Sequence, residues 1–365
     1  MTVSEVAGMA RLTRAQQQER TRAAVLAAAR QEFADSGYAD AKVDRIAERA
    51  ELTRGAVYSN FPSKRALYLA VLVDAVEHAG TAPASSSPGP AEAMGAFARV
   101  WLERLPLTGD TPAGGKLQLR SLAGVFDDEP GRSALAQVTR LEALLLALAL
   151  ESRAPARGRR VRLAELALTL LNGVGHLADA APGFGDPFDV ARACGHLAGL
   201  DLADVWDAPH LPFVSPARRV HDAWDPPADL TDQITGRPAG LAADGVIVLL
   251  GAGRLEAAEE AVRAARPGDQ ITVAVVSGDP AEIGRLVRLR VGDLVECLRR
   301  VFAPDDWPPL RLVLDEGAAV ASALAIPDPD DATEVAARIR GGAVVAMARG
   351  RGAAHAVTSA ALEAQ

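Results

Sequence analysis

The residues best suited to chemistry lie in one short stretch near the amino end of the chain, and they suit contact with DNA. Small and polar side chains are interspersed there, so a helix built from them could lie close to base edges in the major groove. Hydroxyl groups and lysines at its margins could bind the phosphate backbone. These candidate DNA contacts are Lys42, Thr53, Arg54, Gly55, Ala56, Tyr58, Ser59, Asn60 and Lys64.

The pattern around these residues predicts two short helices joined by a tight turn. Apolar residues recur at helical spacing from Val43 to Ala50 and form one stripe. Thr53 is a favoured N-cap for a second helix over 54–60. Pro62 ends that helix, because the residue before a proline avoids the α conformation. The result is a helix-turn-helix, whose second helix can enter the major groove, although the pattern alone leaves open a helix pair that binds no DNA.

The same stretch resembles the signature of TetR-family repressors. The resemblance extends back through Arg22 to Tyr38, which is similar to the family's first helix. The sequence predicts that this helix runs from Thr13 to about Ser36, with Gly37 as its C-terminal cap. Glu51 departs from the family, which usually has glycine in the turn. A positive φ there would cost a non-glycine residue about 1 kcal/mol or more. The resemblance is carried by Ile46, Ala47, Ala50, Leu52, Thr53, Gly55, Val57, Tyr58, Asn60, Phe61, Lys64 and Leu67.

The resemblance implies an all-α DNA-binding domain at 1–80 and a helical ligand-binding and dimerisation domain at 81–207. It further implies a homodimer that binds a palindromic operator in double-stranded DNA and responds to a small-molecule effector. A pocket lined by aliphatic side chains with Trp101 or Phe126 would favour an apolar effector. After a helix that runs from Ser63 to about Ala79, helices are predicted near 91–105, 114–126, 131–151, 157–181 and 187–205, and the last two are the family's usual dimer pair.

Composition and charge exclude several other classes of protein. The net charge of −8 does not suit a surface that binds nucleic acid throughout, but residues 11–65 carry eleven Lys/Arg against seven Asp/Glu. No uninterrupted apolar run of about 18 residues predicts a membrane span, and no secretion signal is recognisable, so we expect a cytoplasmic protein. Two distant cysteines give neither a disulfide framework nor a zinc motif. His176, Asp179 and His196 lack clustered ligand spacing, so we expect no metal and no cofactor.

The last third of the chain changes from helical to alternating periodicity. A proline-rich linker is predicted at 208–240 and an α/β domain at 241–365. The order of its elements is similar to that of a thioredoxin-like or peroxiredoxin-like domain. Strands are predicted at 246–250, 271–276, 310–314, 343–347 and 354–357, the last two as a hairpin around 349–352. Helices are predicted at 255–265, 281–302 and 317–324.

The chemistry of a thioredoxin-like enzyme is missing from this domain. No cysteine follows the first strand, and Cys297 falls among apolar neighbours inside a helix, which favours an inert thiol. Gly251 and Gly253 follow the strand, but Glu256 stands where a dinucleotide-binding motif has its third glycine, so a tight turn is preferred. We therefore expect no enzyme activity and no catalytic residues. Two alternatives stay open: an enzyme that the helix-turn-helix targets to DNA, and an adaptor that recruits a protein through the α/β domain.

Overall fold

The computed structural model describes residues 13–78, 89–104, 122, 124–153, 158–181, 183–206, 208–303 and 310–360. These residues form two compact units, an N-terminal unit up to Val71 and a second unit from Leu72 onward. The helical segment and the α/β segment, which the sequence suggests are separate domains, both belong to the second unit.

From residue 13 onward, where it is described, the N-terminal unit is built from four helices. They are α1 (Arg14–Asp40), α2 (Val43–Arg49), α3 (Arg54–Asn60) and α4 (Lys64–Glu77), and residues 64–71 of α4 belong to this unit. Thr13 begins α1 with a capping box, because its Oγ1 accepts from the Gln16 amide at 3.2 Å and its amide donates to Gln16 Oε1 at 2.9 Å. Gly37 interrupts α1 with φ 75° near the predicted end, and a further helical turn follows it.

Aromatic side chains fill the centre of this unit. Phe33 packs edge-on against Tyr68 with ring centroids 4.9 Å apart, and Tyr38 lies 5.0 Å from Tyr68. Phe33 and Phe61 have no exposed surface, and Val57 is 1% exposed. Edge-to-face rings of this kind stabilise a core beyond the area they bury. The cluster joins α1 to α4 and leaves α2 and α3 to pack on its side.

The turn between α2 and α3 adopts the strained geometry that the sequence indicates. Glu51 has φ 55°, in the left-handed region. The amide of Glu51 donates to the Glu48 carbonyl at 3.1 Å, and the amide of Leu52 donates to the Ala47 carbonyl at 2.9 Å. These two bonds satisfy carbonyls at the end of α2 and reverse the chain within three residues.

Among the described residues, four helices open the second unit, after the last residues of α4. They are α5 (Pro90–Leu102), α6 (Glu129–Glu151), α7 (Val161–Ala180) and α8 (Pro187–Leu197). The helix predicted at 114–126 lies mostly outside the described residues, and 124–126 are not helical. The prediction that α8 continues to 205 is wrong, because the chain turns at Ala198 and Gly199. By length and hydropathy α6 could span a membrane, but 72% of its apolar window is buried in the protein, as in a core helix.

The remaining described residues of the second unit form a six-stranded mixed sheet and four further helices. The strands are β1 (Arg218–Ala223), β2 (Gly245–Gly251), β3 (Ile271–Val276), β4 (Leu310–Leu314), β5 (Glu334–Arg340) and β6 (Ala343–Arg349), in the spatial order β1-β6-β5-β2-β3-β4. Neighbours among β2, β3 and β4 are parallel, and the other pairs are antiparallel. The helices are α9 (Ala257–Ala264), α10 (Arg285–Arg299), α11 (Ala319–Ala323) and α12 (Ala353–Ser359).

Three details of this sheet differ from the sequence-based expectation. The segment 354–357 belongs to α12 and is not a strand. The terminal hairpin is β5–β6, and its turn is Gly341-Gly342, where both residues have positive φ. The segment 208–240 contains β1, which pairs with β6 at the edge of the sheet, so part of the predicted linker is sheet.

Buried ion pairs join α10 to the helical segment. Arg290 Nη2 lies 2.6 Å from Glu142 Oε2, and both residues are buried. Arg104 Nε lies 2.9 Å from Asp293 Oδ1, with both side chains about one-tenth exposed. A buried charge whose partner is lost is strongly destabilising, so these pairs fix how the sheet docks on α5 and α6.

We expect Glu51→Gly to raise the free energy of unfolding of the N-terminal unit by about 0.5–1 kcal/mol. Relief of left-handed strain should exceed the extra backbone entropy that glycine loses on folding. The matched control is Glu48→Gly, at an exposed position inside α2. This substitution should lower the free energy of unfolding by about 1 kcal/mol. Amide hydrogen exchange of α2 and α3 measures both changes. If both variants lower the free energy of unfolding equally, the strain at Glu51 does not affect stability.

Candidate nucleic-acid interface

Helix α3 presents the predicted DNA-contacting face to the surface of its unit. Thr53, Arg54, Gly55, Tyr58 and Ser59 are exposed, and Ala56 and Asn60 are half-buried. Val57 points the other way, into the core. The exposed face is therefore small and polar, while the opposite face anchors the helix.

Local hydrogen bonds hold α3 and occupy part of its polar chemistry. Thr53 Oγ1 accepts from the Ala56 amide at 3.2 Å, which satisfies a free amide of the first turn. Its hydroxyl hydrogen remains a donor for a phosphate oxygen. Ser59 Oγ and Asn60 Nδ2 both donate to the Ala56 carbonyl at 2.9 Å. Asn60 keeps its Oδ1 acceptor, and either side chain can turn outward toward a base edge.

Arg54 lies on the rim of this face in a weak surface pair. Its Nη1 is 3.3 Å from both carboxylate oxygens of Asp44, and its guanidinium carbon lies 5.5 Å from the Tyr58 ring centroid. The Tyr58 hydroxyl and the Asp44 charge raise the pKa of Arg54, so it is charged at any physiological pH. Because the Arg54 and Asp44 side chains are 59% and 62% exposed, the pair contributes little stability and can be exchanged for a base.

Lys64 has a structural partner that the sequence did not reveal. Its Nζ donates to the Ala39 carbonyl at 2.9 Å and lies 5.0 Å from the Tyr38 ring centroid. Partial burial lowers the pKa of its ammonium group. The ammonium ties the start of α4 to the end of α1, with two further hydrogens left for a phosphate. Lys42 is exposed at the start of α2.

Glu32 positions the interface and was missed in the sequence. Its side chain has no exposed surface, and Oε1 accepts from the Lys42 amide at 3.2 Å. Arg49 Nη2 lies 3.4 Å from Oε2. The carboxylate thus fixes the first turn of α2 against α1. Its position could have signalled this, since Glu32 falls on the same helical stripe as Val25 and Ala29.

A cavity of about 760 Å³ lies in the second unit between α6 and α7. Phe126 lines it, as the sequence suggested, whereas Trp101 is buried in α5. Apolar, polar and charged side chains line this cavity, and Arg290 of α10 is one of them. The lining residues are Leu122, Phe126, Asp127, Leu135, Thr139, Arg140, Ala143, Glu165, Leu168, Thr169, Asn172, His176 and Arg290.

The glycine pair after β2 makes room for the protein's own chain. A Cβ at Gly251 would collide with the backbone of 330–331, and a Cβ at Gly253 would lie 2.7 Å from the Asp331 carbonyl oxygen. The Asp331 carboxylate accepts from Ser277 Oγ at 2.9 Å and from the Gly278 amide at 3.1 Å. The ends of β2 and β3, where α/β sheets commonly bind ligands, are therefore covered by this segment.

The cysteines are buried, and the histidines considered as metal ligands are not grouped with other ligands in the described part of the chain. Cys194 and Cys297 are buried and form no disulfide, and burial raises the pKa of Cys194 to about 11. Within the described part of the chain, no three His, Cys, Asp or Glu side chains are grouped to hold a metal ion. The side chain of Asp179 lies outside the described residues.

Comparisons with known proteins bear on the N-terminal unit. Residues 25–71 match the family described as bacterial regulatory proteins, tetR family. No match was found among curated proteins.

Several solved structures are similar to the chain. A TetR transcriptional regulator from Rhodococcus sp. RHA1 is 21% identical, with 51% of this chain and 99% of that one covered and a TM-score of 0.32. NalD, the secondary repressor of the MexAB-OprM multidrug efflux pump in Pseudomonas aeruginosa, is 19% identical, with 50% and 95% covered and a TM-score of 0.32. A putative TetR-family regulator from Mesorhizobium loti is 16% identical, with 52% and 96% covered and a TM-score of 0.27.

Because these TM-scores are low, the assignment depends on the family match and on the helix-turn-helix itself. The matched residues contain α2, the strained turn, α3 and the start of α4. Residues 25–71 therefore match the tetR family of bacterial regulatory proteins, and within them α2 and α3 form a helix-turn-helix.

Proposed function

We propose that the protein is a ligand-responsive repressor that binds a palindromic operator as a homodimer. The observation that carries this proposal is the exposed face of α3, small and polar, backed by the buried Val57. A recognition helix of seven residues reads only a few base pairs, so two copies related by a twofold axis would double the site. The protein would act in the cytoplasm, where it meets chromosomal DNA.

Exposed apolar side chains support dimerisation through α7 and α8. Leu166 and Leu177 of α7 are 39% and 41% exposed, and Phe188 of α8 is 75% exposed. Phe184, between the two helices, is 72% exposed. Large apolar side chains gathered on neighbouring elements are typical of a protein–protein interface. We assign this surface to contact with a second copy of the chain.

The cavity between α6 and α7 supports control by an effector. Its volume of about 760 Å³ lies in the usual range for small-molecule sites. Leu135 and Leu168 provide apolar surface, while Asn172 and His176 provide hydrogen-bonding groups. We therefore propose an effector with an apolar body and a few polar groups, a more polar molecule than the sequence alone suggests.

The α/β domain supports a role other than catalysis. The segment 330–331 covers the ends of β2 and β3, and the cysteine of this domain, Cys297, is buried. The thioredoxin-like character of the α/β domain remains our proposal, and the parallel pair β2–β3 and the antiparallel hairpin β5–β6 support it. We propose that this domain supports and modulates the helical segment on which α10 packs.

The oligomeric state tests the proposed dimer surface. The protein free of DNA should scatter light as a dimer, and Phe188→Glu should shift it toward monomer, because a buried carboxylate without a partner is costly. The matched control is Phe213→Glu, an 85% exposed phenylalanine outside α7 and α8, which should stay dimeric. A wild-type monomer that still binds an operator tightly would contradict the proposal.

Substitutions of Arg54, in α3, and of Lys42 and Lys64, outside it, should distinguish base contacts from phosphate contacts. Arg54→Ala should cost about 1–3 kcal/mol at one operator position and relax its sequence preference. Lys42→Ala should weaken binding to all sequences alike and lower the salt slope by about 1. Lys64→Ala should do the same and also lower thermal stability, since Lys64 bonds the Ala39 carbonyl. Fluorescence anisotropy over a salt series measures these effects. A uniform loss in Arg54→Ala would place that residue among the phosphate contacts instead.

A further inference from the structure

A second cavity, of about 700 Å³, lies at the edge of the sheet where β6 ends and β1 begins. One wall is the segment 208–217, which we call the strap. The other wall is the end of β6 with the turn that leads into α12. Its most prominent side chains are those of His210, Phe213, Arg218, Met347, Arg349 and Arg351.

The walls of this cavity are fixed by specific packing. Val214 of the strap lies against Gly352, where φ is 85° and where a Cβ would collide with the valine side chain. Buried Glu334 holds the turn, because its backbone carbonyl accepts from the Gly350 amide at 2.8 Å and its Oε1 accepts from the Gly352 amide at 2.7 Å. These bonds fix the turn that contains Arg349 and Arg351, the residues on either side of Gly350.

Three arginines line the cavity without a carboxylate partner among the described residues. Arg218, Arg349 and Arg351 are all exposed, and the hydrogen bond of Arg349 to protein oxygen is a long one, 3.4 Å to the Ala325 carbonyl. Arg254, which follows β2, and Arg338 of β5 differ, since each is paired with an acidic side chain. In a chain of net charge −8, three arginines that line one cavity favour an anionic occupant.

His210 adds a further donor from the strap. Its Nε2 lies 3.0 Å from Oε1 of the buried Glu260, while its Nδ1 is buried and has no hydrogen-bond partner among the described residues. Burial raises the pKa of Glu260 to about 7, so near neutral pH a proton is available to the pair. When that proton lies between Glu260 and Nε2, Nδ1 carries a hydrogen and can donate it to an anion.

We propose that this cavity binds a small, multiply charged anion, held by Arg218, Arg349, Arg351 and His210 Nδ1. Arginine is suited to such a site because its planar guanidinium donates two parallel hydrogen bonds to a phosphate or a carboxylate group. Phe213 and Met347 provide apolar surface for the rest of the molecule. The ligand class is a phosphorylated or polycarboxylate metabolite of small size, and its site is distinct from the cavity between α6 and α7.

Titration calorimetry of the full-length protein with inorganic pyrophosphate and with citrate tests this proposal. Sodium chloride at matched ionic strength is the control for screening. Arg351→Gln and Arg218→Gln should each raise the dissociation constant about tenfold, as expected for loss of a charge-assisted hydrogen bond. The matched control is Arg219→Gln, the next residue of β1, which does not line the cavity and should bind as the wild type does. Thermal melting checks that every variant is folded.

Each outcome decides the proposal. Saturable binding of pyrophosphate alone would identify a phosphate site, and saturable binding of citrate would identify a polycarboxylate site. Absence of saturable binding for both probes would overturn the proposal, as would an equal loss in Arg219→Gln. If Arg218→Gln and Arg351→Gln instead lower only the salt slope of DNA binding, the arginines are a nucleic-acid surface and the anion site is refuted.

Discussion

The geometry of the helix-turn-helix depends on one buried carboxylate. Glu32 of α1 is removed from water, and this is tolerable because it accepts the Lys42 amide and lies beside Arg49. These contacts fix where α2 begins. The turn at Glu51 and the cap at Thr53 then determine where α3 lies relative to α2. Loss of the carboxylate would leave the Lys42 amide without this acceptor and would free the entry to α2.

The same constraint explains why the second unit contains both the helical bundle and the sheet. Arg290 of α10 and Glu142 of α6 are buried together, and removal of one partner from a buried ion pair costs about 3–5 kcal/mol. Arg290 also lines the cavity assigned to the effector. Under the proposed function, effector contacts and the docking of the sheet would share one side chain, which would give the α/β domain a physical route to influence DNA binding.

Short-range signals account for what the sequence could predict. Helix α3 was predicted from its cap at Thr53 and the proline at 62, and β2 and β3 were predicted from their continuous apolar runs. Strand β1 was not predicted, because its residues are mostly exposed and polar and only pairing with β6 makes them a strand. Residues 354–357 form a short apolar run that suits either state, and packing decides for helix.

Side-chain partners were the least predictable part of the candidate site. The bond from Lys64 to the Ala39 carbonyl joins positions 25 residues apart, and the pairing of Arg54 with Asp44 depends on the angle between α2 and α3. Residue type predicts that such side chains can bind DNA. Only the folded unit shows which of them also hold the structure.

The most direct test of the central claim is Gly55→Ala, because it separates folding from DNA contact. A Cβ at Gly55 would meet only Thr53 Oγ1 within 4 Å, at 3.8 Å, so the protein itself leaves room for it. Alanine should keep or raise thermal stability, by up to about 1 kcal/mol, through its higher helix propensity. If α3 lies against DNA, the added methyl group should weaken operator binding about tenfold or more. Unchanged operator affinity in a folded Gly55→Ala variant would contradict the assignment of this face to DNA.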